Sequence, residues 1–136
     1  MKLLMIYAEH FAYTTSLKAL ESVPDVHETH ALEYALVGFI HVESQDEECL
    51  SDVETKLIKN LKWAARKNET TRIVLHSFAH LSESKASPDA TRILLANAER
   101  RLFNADYEVH QTPFGYFLDL DMQAPGTPTA RIFKEF

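Results

Sequence analysis

The sequence predicts a single α/β domain with a mixed β-sheet and two long helices. Three observations lead there. Two stretches carry apolar residues at helical spacing, and about six short stretches are apolar or alternate in character. The two kinds are interleaved along the chain, which implies a mixed sheet. At 136 residues the chain suits one core, here one domain over 1–136.

Lys2–Ala8 reads as a compact apolar strand, with Glu9, His10 and Tyr13 following its C-terminal end, where α/β sheets line clefts. Ser16–Pro24 places Leu17, Leu20 and Val23 in a short amphipathic pattern that Pro24 stops. Asp25–Leu32, with His27, Glu28 and His30, lacks a clear period and reads as a connection. Tyr34–Val42 is the strongest strand. It is nearly all apolar, so both faces should be covered, and Gly38 inside it predicts a bulge or a close backbone approach. Ser44–Cys49 is an acidic turn whose Asp46, Glu47 and Glu48 read as solvated surface.

The first long helix spans Asp52–Lys67. Ser51 and Glu54 have capping-box spacing, and Val53, Leu57, Ile58, Leu61, Ala64 and Ala65 fall on one face with Trp63 at its edge. A polar turn at Asn68–Thr71 leads to the strand Arg72–Leu75. The second helix starts at Ser87–Pro88, with serine as N-cap and proline at the first helical position. Ala90, Ile93, Leu94, Ala98 and Leu102 form its apolar face. Asp106–Gln111 alternates like a half-exposed strand, and Thr112–Gly115 is a turn. Tyr116–Met122 alternates apolar with acidic residues. After a tight turn at Ala124–Pro128, Thr129–Phe136 reads as a final strand that completes a hairpin.

A net charge of −6 argues against broad binding along a nucleic-acid backbone, though not against a pocket for the end of an RNA. No apolar run approaches the roughly 20 residues of a membrane span, the start lacks signal-peptide features, and Cys49 stands alone. These point to the cytoplasm. With three glycines and no Walker A or G-x-G-x-x-G, nothing calls for a nucleotide cofactor.

Chemistry concentrates in Ile73–Ser82, an apolar strand that turns polar and sets His76, Ser77, His80 and Ser82 close together. The two histidines are four apart, a metal-ligand spacing only on a helix, and this segment begins extended. A serine nucleophile, Ser77 or Ser82 with either histidine, has no identifiable acidic partner. A histidine capping the strand end is the plain alternative.

Ser77–Phe78–Ala79–His80–Leu81–Ser82, followed some thirty residues later by Thr112–Pro113–Phe114–Gly115–Tyr116–Phe117, resembles the N-terminal editing domain of archaeal threonyl-tRNA synthetases. There a strand leads into Pro-Phe-Ala-His-Leu-Ser, and Pro-Phe-Gly-Tyr-Tyr-Lys introduces a later strand. The start Lys2–Ile6, the strand Leu36–Glu43 and Ser87–Pro88 are similar in kind and order, so the resemblance spans almost the whole chain. It implies a D-aminoacyl-tRNA deacylase-like fold that usually forms a homodimer. It also implies hydrolysis of the ester joining serine to the 3′ adenosine of threonine tRNA, with no cofactor or metal. The implied partners are the 3′ end of the aminoacyl-tRNA and a synthetase catalytic domain in cis or in trans.

Carried over by motif, Phe78, Ala79 and His80 would line the pocket, with His80 nearest the aminoacyl group and catalytic. Pro113, Phe114, Gly115 and Tyr116 would form the opposite wall, and Tyr7, Ala8 and Glu9 would lie near the adenosine. The chain departs from the family at two functional positions. Leu118 stands at the lysine after Gly-Tyr-Tyr, and Arg131 stands at the glutamate of Leu-Ala-Glu. Ser77 and Phe117 replace the motif's proline and second tyrosine. The departures open an alternative: a non-catalytic homologue serving as a dimerisation, small-ligand or aminoacyl-adenosine binding module.

Overall fold

The structure, a computed structural model, describes residues 1–136. Six strands and two helices form the expected α/β domain. They are β1 (Lys2–Lys18), β2 (Thr29–His41), α1 (Leu50–Lys67), β3 (Arg72–Ser77), α2 (Pro88–Asn104), β4 (Glu108–Gln111), β5 (Tyr116–Gln123) and β6 (Arg131–Glu135). Strand order in the sheet is β4-β3-β2-β1-β5, with β6 also paired to β1. The sheet is mixed: β2, β3 and β4 run parallel, and β1 is antiparallel to β2, β5 and β6.

The connections β2–α1–β3 and β3–α2–β4 step in one direction across the sheet. Right-handed crossovers therefore put both helices on one face. Leu57, Leu61, Leu94, Ala98 and Leu102 pack there on Leu3, Met5, Leu36, Ile40, Ile73 and Leu75. Strand alternation sends Val37, Phe39 and Val74 to the opposite face, with Phe11 and Tyr13 of β1 and, at the margin, Phe78 and Leu118. β2 is thus covered on both sides, as its continuous apolar run predicts.

At Gly38 the α1 side chain Leu61 comes close against the sheet backbone. A Cβ at Gly38 would lie 2.9 Å from Leu61 Cδ2, so the close approach holds and no bulge is present there. Gly38→Ala is expected to cost about 1–2 kcal/mol in unfolding free energy, measured by urea titration, because the fully buried Leu61 side chain must repack to make room.

Several expectations need correction. β1 does not stop at Ala8 but runs to Lys18, so Ser16–Lys18 is strand and Leu17 is 73% exposed. The reason is tertiary. β2 starts at Thr29, within the segment read as a connection, and its pairing with β1 extends to Thr14↔Thr29, while β5 pairs from His10 to Lys18 on the other edge. Two ladders outweigh a weak three-residue apolar period. The C-terminal strand forms no hairpin with its predecessor. β5 and β6 pair end to end along the same edge of β1, as halves of one interrupted strand, and Pro128–Ala130 forms a short 3-10 turn before Arg131.

The first helix begins at Leu50 after a 3-10 turn, so Ser51 is not its cap. Glu54 instead accepts from Arg101 Nη1 at 2.7 Å. The capping box belongs to Glu43 and Asp46. Asp46 is buried rather than solvated, because the Met1 ammonium is buried too and lies 2.9 Å from both Glu43 Oε1 and Asp46 Oδ2. In α2 Ser87 caps as expected, accepting from Ala90 N at 3.2 Å, but Ile93 is 55% exposed and Leu95 takes the buried place.

Candidate functional site

The two motif segments lie at the end of the parallel strands. The chain leaves β3 at Ser77, turns at Ala79–His80 and crosses a polar connector to α2. Phe78 N donates to Ile40 O at 2.9 Å, which prolongs the β2–β3 ladder by one bond. The second segment leaves β4 at Gln111 and enters β5 at Tyr116. Thr112 N donates to Leu75 O at 3.0 Å, and Thr112 Oγ1 lies 2.9 Å from His76 Nδ1. His76 is thus the buried tie between the two segments. Burial first, and the nearby charge of His80 second, push its pKa down to about 4, so it is neutral near pH 7.

Between the segments is a cavity of about 300 Å³. Ser77, Ala79 and His80 line one side, and Phe114, Gly115, Tyr116 and Phe117 another. Ile40 of β2, Val42 just past its end, Ala19 and Leu20 beyond β1, and Lys85, Ala86, Pro88 and Thr91 complete it. Phe78 supports this wall from behind, edge-on to His80 at 4.8 Å and to Phe39 at 5.2 Å. Phe117 stacks on the His80 ring at 5.9 Å. His80 itself is exposed, with its ring between two phenylalanines.

Gly115 closes the cavity through its backbone. It has φ +83°, a left-handed conformation, and its carbonyl accepts from Ala19 N at 2.7 Å and Leu20 N at 3.3 Å. The space where a side chain would stand is filled by Val23, whose Cγ1 is 2.6 Å from an ideal Cβ position. Tyr116 reinforces the same junction: its hydroxyl donates to Pro24 O and accepts from Val26 N.

Of the residues expected at a site, Ala79, His80, Phe114, Gly115 and Tyr116 meet in the cavity. Pro113 lines the adjoining groove with Phe114, Tyr116 and Arg92. Tyr7, Ala8 and Glu9 do not line the cavity. They sit mid-strand rather than at a strand end, Tyr7 opposite Leu36 and Ala8 opposite Ala35, because β1 continues past them. Neither Ser77 nor Ser82 is hydrogen-bonded to His76 or His80. His76 turns to Thr112, and Ser82 Oγ donates to Glu43 Oε2 at 2.8 Å. Leu118 packs into the apolar face with Phe78, and Arg131 donates to Pro125 O at 2.6 Å, away from the cavity.

Sequence reasoning missed His41. This side chain is fully buried and holds the motif turn from below. Its Nδ1 accepts from Leu81 N at 3.0 Å, and its Nε2 bonds Ser84 O at 2.7 Å. An amide only donates and a carbonyl only accepts, so His41 is neutral with its proton on Nε2. Lys85 was also missed, hidden in a connector that reads only as polar.

A family model for the archaea-specific editing domain of threonyl-tRNA synthetase matches residues 1–136. The chain is 33% identical to the threonine–tRNA ligase of Thermococcus kodakarensis over 98% of its own length and 22% of that protein's. It is 32% identical to the enzyme of Methanoculleus marisnigri, again over 98% and 22%. It therefore spans about a fifth of the length of the curated relatives it matches. Among solved structures, the c-Myc DNA Unwinding Element Binding Protein superposes with a TM-score of 0.69 at 12% identity, covering 100% of this chain and 99% of that one. At that identity the likeness concerns the fold, which is the D-aminoacyl-tRNA deacylase-like α/β class that the sequence motifs imply.

Proposed function

The chain belongs to the archaea-specific editing-domain family of threonyl-tRNA synthetase, and from that premise we propose that it hydrolyses the ester linking serine to the 3′ adenosine of threonine tRNA. The observation that carries this reading is the cavity in which Ala79 and His80 face Phe114, Gly115 and Tyr116, more than thirty residues away in sequence. On this reading the cavity takes the aminoacyl group, the adenosine extends along its rim, and His80 positions the attacking water. Water adds to the ester carbonyl carbon, and the bond to the ribose 3′-oxygen breaks. Serine leaves as the acid and the 3′-oxygen regains a proton. Threonine differs by one methyl, a difference worth about 1–3 kcal/mol in a single pocket, and so a second hydrolytic pocket is useful. The same reading has the chain acting in the cytoplasm as a homodimer, joined to or beside a synthetase core that delivers the tRNA end.

The test is single-turnover deacylation with protein in excess. Ser-tRNA(Thr) is expected to lose its serine while Thr-tRNA(Thr) is spared. Seryl-tRNA that stays intact sinks the hydrolytic reading. His80→Ala is expected to slow the reaction about tenfold, below the usual range for acid–base side chains because this imidazole is exposed.

One observation favours a second, non-catalytic reading. Leu118 is turned into the apolar face and Arg131 is bonded to Pro125 O, so neither supplies a charge to the cavity. A seryl-adenosine analogue would then raise the melting temperature without any turnover of seryl-tRNA.

A further inference from the structure

We propose that Lys85 is a catalytic residue of this cavity, its ammonium binding the ester carbonyl oxygen and holding the negative charge that gathers there as water adds. The proposal rests on the hydrolytic reading above and assigns that reaction its electrostatic partner.

Four observations carry it. The first is the charge inventory of the cavity. Among its lining residues Lys85 is the only lysine or arginine, and no aspartate or glutamate is present. A protein of net charge −6 has thus kept carboxylates out of one concave surface and placed a cation on it.

The second is that this cation is free. Lys2, Lys18, Arg72, Arg92 and Arg101 all stand in ion pairs with carboxylates. Lys85 has no carboxylate oxygen within the 4.0 Å that defines such a pair, so binding a substrate oxygen breaks no existing bridge.

The third is that its backbone is anchored on both sides. Ser84 O bonds His41 Nε2 at 2.7 Å, and Ser84 Oγ lies 2.8 Å from Ser44 Oγ. Ala86 N donates to Val42 O at 3.0 Å. The connector is therefore clamped to the end of β2, and the lysine stem starts from a fixed point on the cavity wall. With the origin of the stem fixed, only the exposed side chain's own rotamers remain to be set, which lowers the rearrangement that electrostatic stabilisation requires.

The fourth is the setting. Ile40, Val42, Ala86, Phe114 and Phe117 give the cavity largely apolar walls, against which a charge–charge contact is stronger than in open water. The step balances without a co-reactant. Water's oxygen bonds to the carbonyl carbon, the carbonyl electron pair moves to the oxygen facing Lys85, and the C–O bond to the ribose then breaks as that pair returns. The leaving 3′-oxygen takes up the proton that water gives up.

The test is single-turnover hydrolysis of Ser-tRNA(Thr) by the full chain as wild type, Lys85→Met, Lys85→Arg and Lys59→Met. The last makes the same charge change on the exposed surface of α1. Lys85→Met is expected to lower the maximal rate about 30-fold, below the roughly hundredfold or more of a buried oxyanion donor because the side chain is exposed. Its half-saturating protein concentration should stay within about twofold, as for a contact made mainly in the transition state. Lys85→Arg should recover most of the rate, and Lys59→Met should match wild type. Equal melting temperatures would exclude misfolding as the cause. If Lys85→Met cleaves at the wild-type rate, or weakens half-saturation alone, the proposal is overturned while the hydrolytic reading stands. If the wild type leaves seryl-tRNA intact, the hydrolytic reading fails and this proposal falls with it.

Discussion

Gly115→Ala is expected to lower the unfolding free energy by about 3 kcal/mol, measured by urea titration, and to blunt any ligand response of the cavity. Two costs add. A non-glycine residue at φ +83° loses roughly 1–2 kcal/mol to the crowding of Cβ against its own carbonyl. The new methyl would also stand 2.6 Å from Val23 Cγ1, and overpacking of this kind costs about 1–3 kcal/mol. Val23 is 6% exposed, and its branched side chain has little rotamer freedom with which to retreat. The backbone must yield instead, and this is the backbone that receives Ala19 N and Leu20 N. Val23→Ala in the Gly115→Ala background should return roughly half of the loss by relieving the clash but not the dihedral strain. Full stability in the single variant would refute this account of the wall.

Glu43→Gln is expected to cost about 3 kcal/mol at pH 7, with a pH dependence that identifies the cause. Burial alone would push the Glu43 carboxyl up. Hydrogen bonds from the terminal ammonium and Ser82, with the charges of that ammonium and Lys2, outweigh burial and hold it at about 2. A carboxyl held below its ordinary value stabilises the fold above that ordinary value. Its contribution is lost as pH falls from about 4.5 through about 2, below which native and unfolded forms are both protonated. The gap between wild type and variant should therefore be largest near neutrality and close through that acid window. Asp46 still faces the ammonium in the variant, which keeps the loss at the low end for a broken buried pair. A gap that does not change between pH 7 and pH 3 would show that the ion pair is not its source.

Local pattern revealed the parts of this fold that local pattern controls. The apolar stripe of α1, the Ser87–Pro88 start of α2 and the double-sided burial of β2 each follow from neighbours within a turn or a strand. The lower half of β1 does not. Thr14 and Thr15 become strand because Thr29 and β5 lie beside them, a relation that no short window contains. The same holds for β6, whose partner lies at the other end of the sequence, and for Asp46, acidic in a turn yet buried because an ammonium forty-five residues away needs it. At the site, two motifs marked both walls. Lys85 and His41 carried no such mark, since one contributes by its place on the rim and the other by a pair of backbone bonds.

The interrupted strand along β1 has a consequence for synthesis on the ribosome. Lys2–Ile6 find their partners on one edge only among Arg131–Glu135, which are made far later. Until those residues emerge, that edge shows unpaired amides and carbonyls beside Leu3 and Met5, a template for pairing with another nascent chain. Such distant pairing also slows folding, since all the residues between the two strands must be looped before it forms. Co-translational folding can complete the helix-covered half first and must leave this seam open until Arg131–Glu135 emerge.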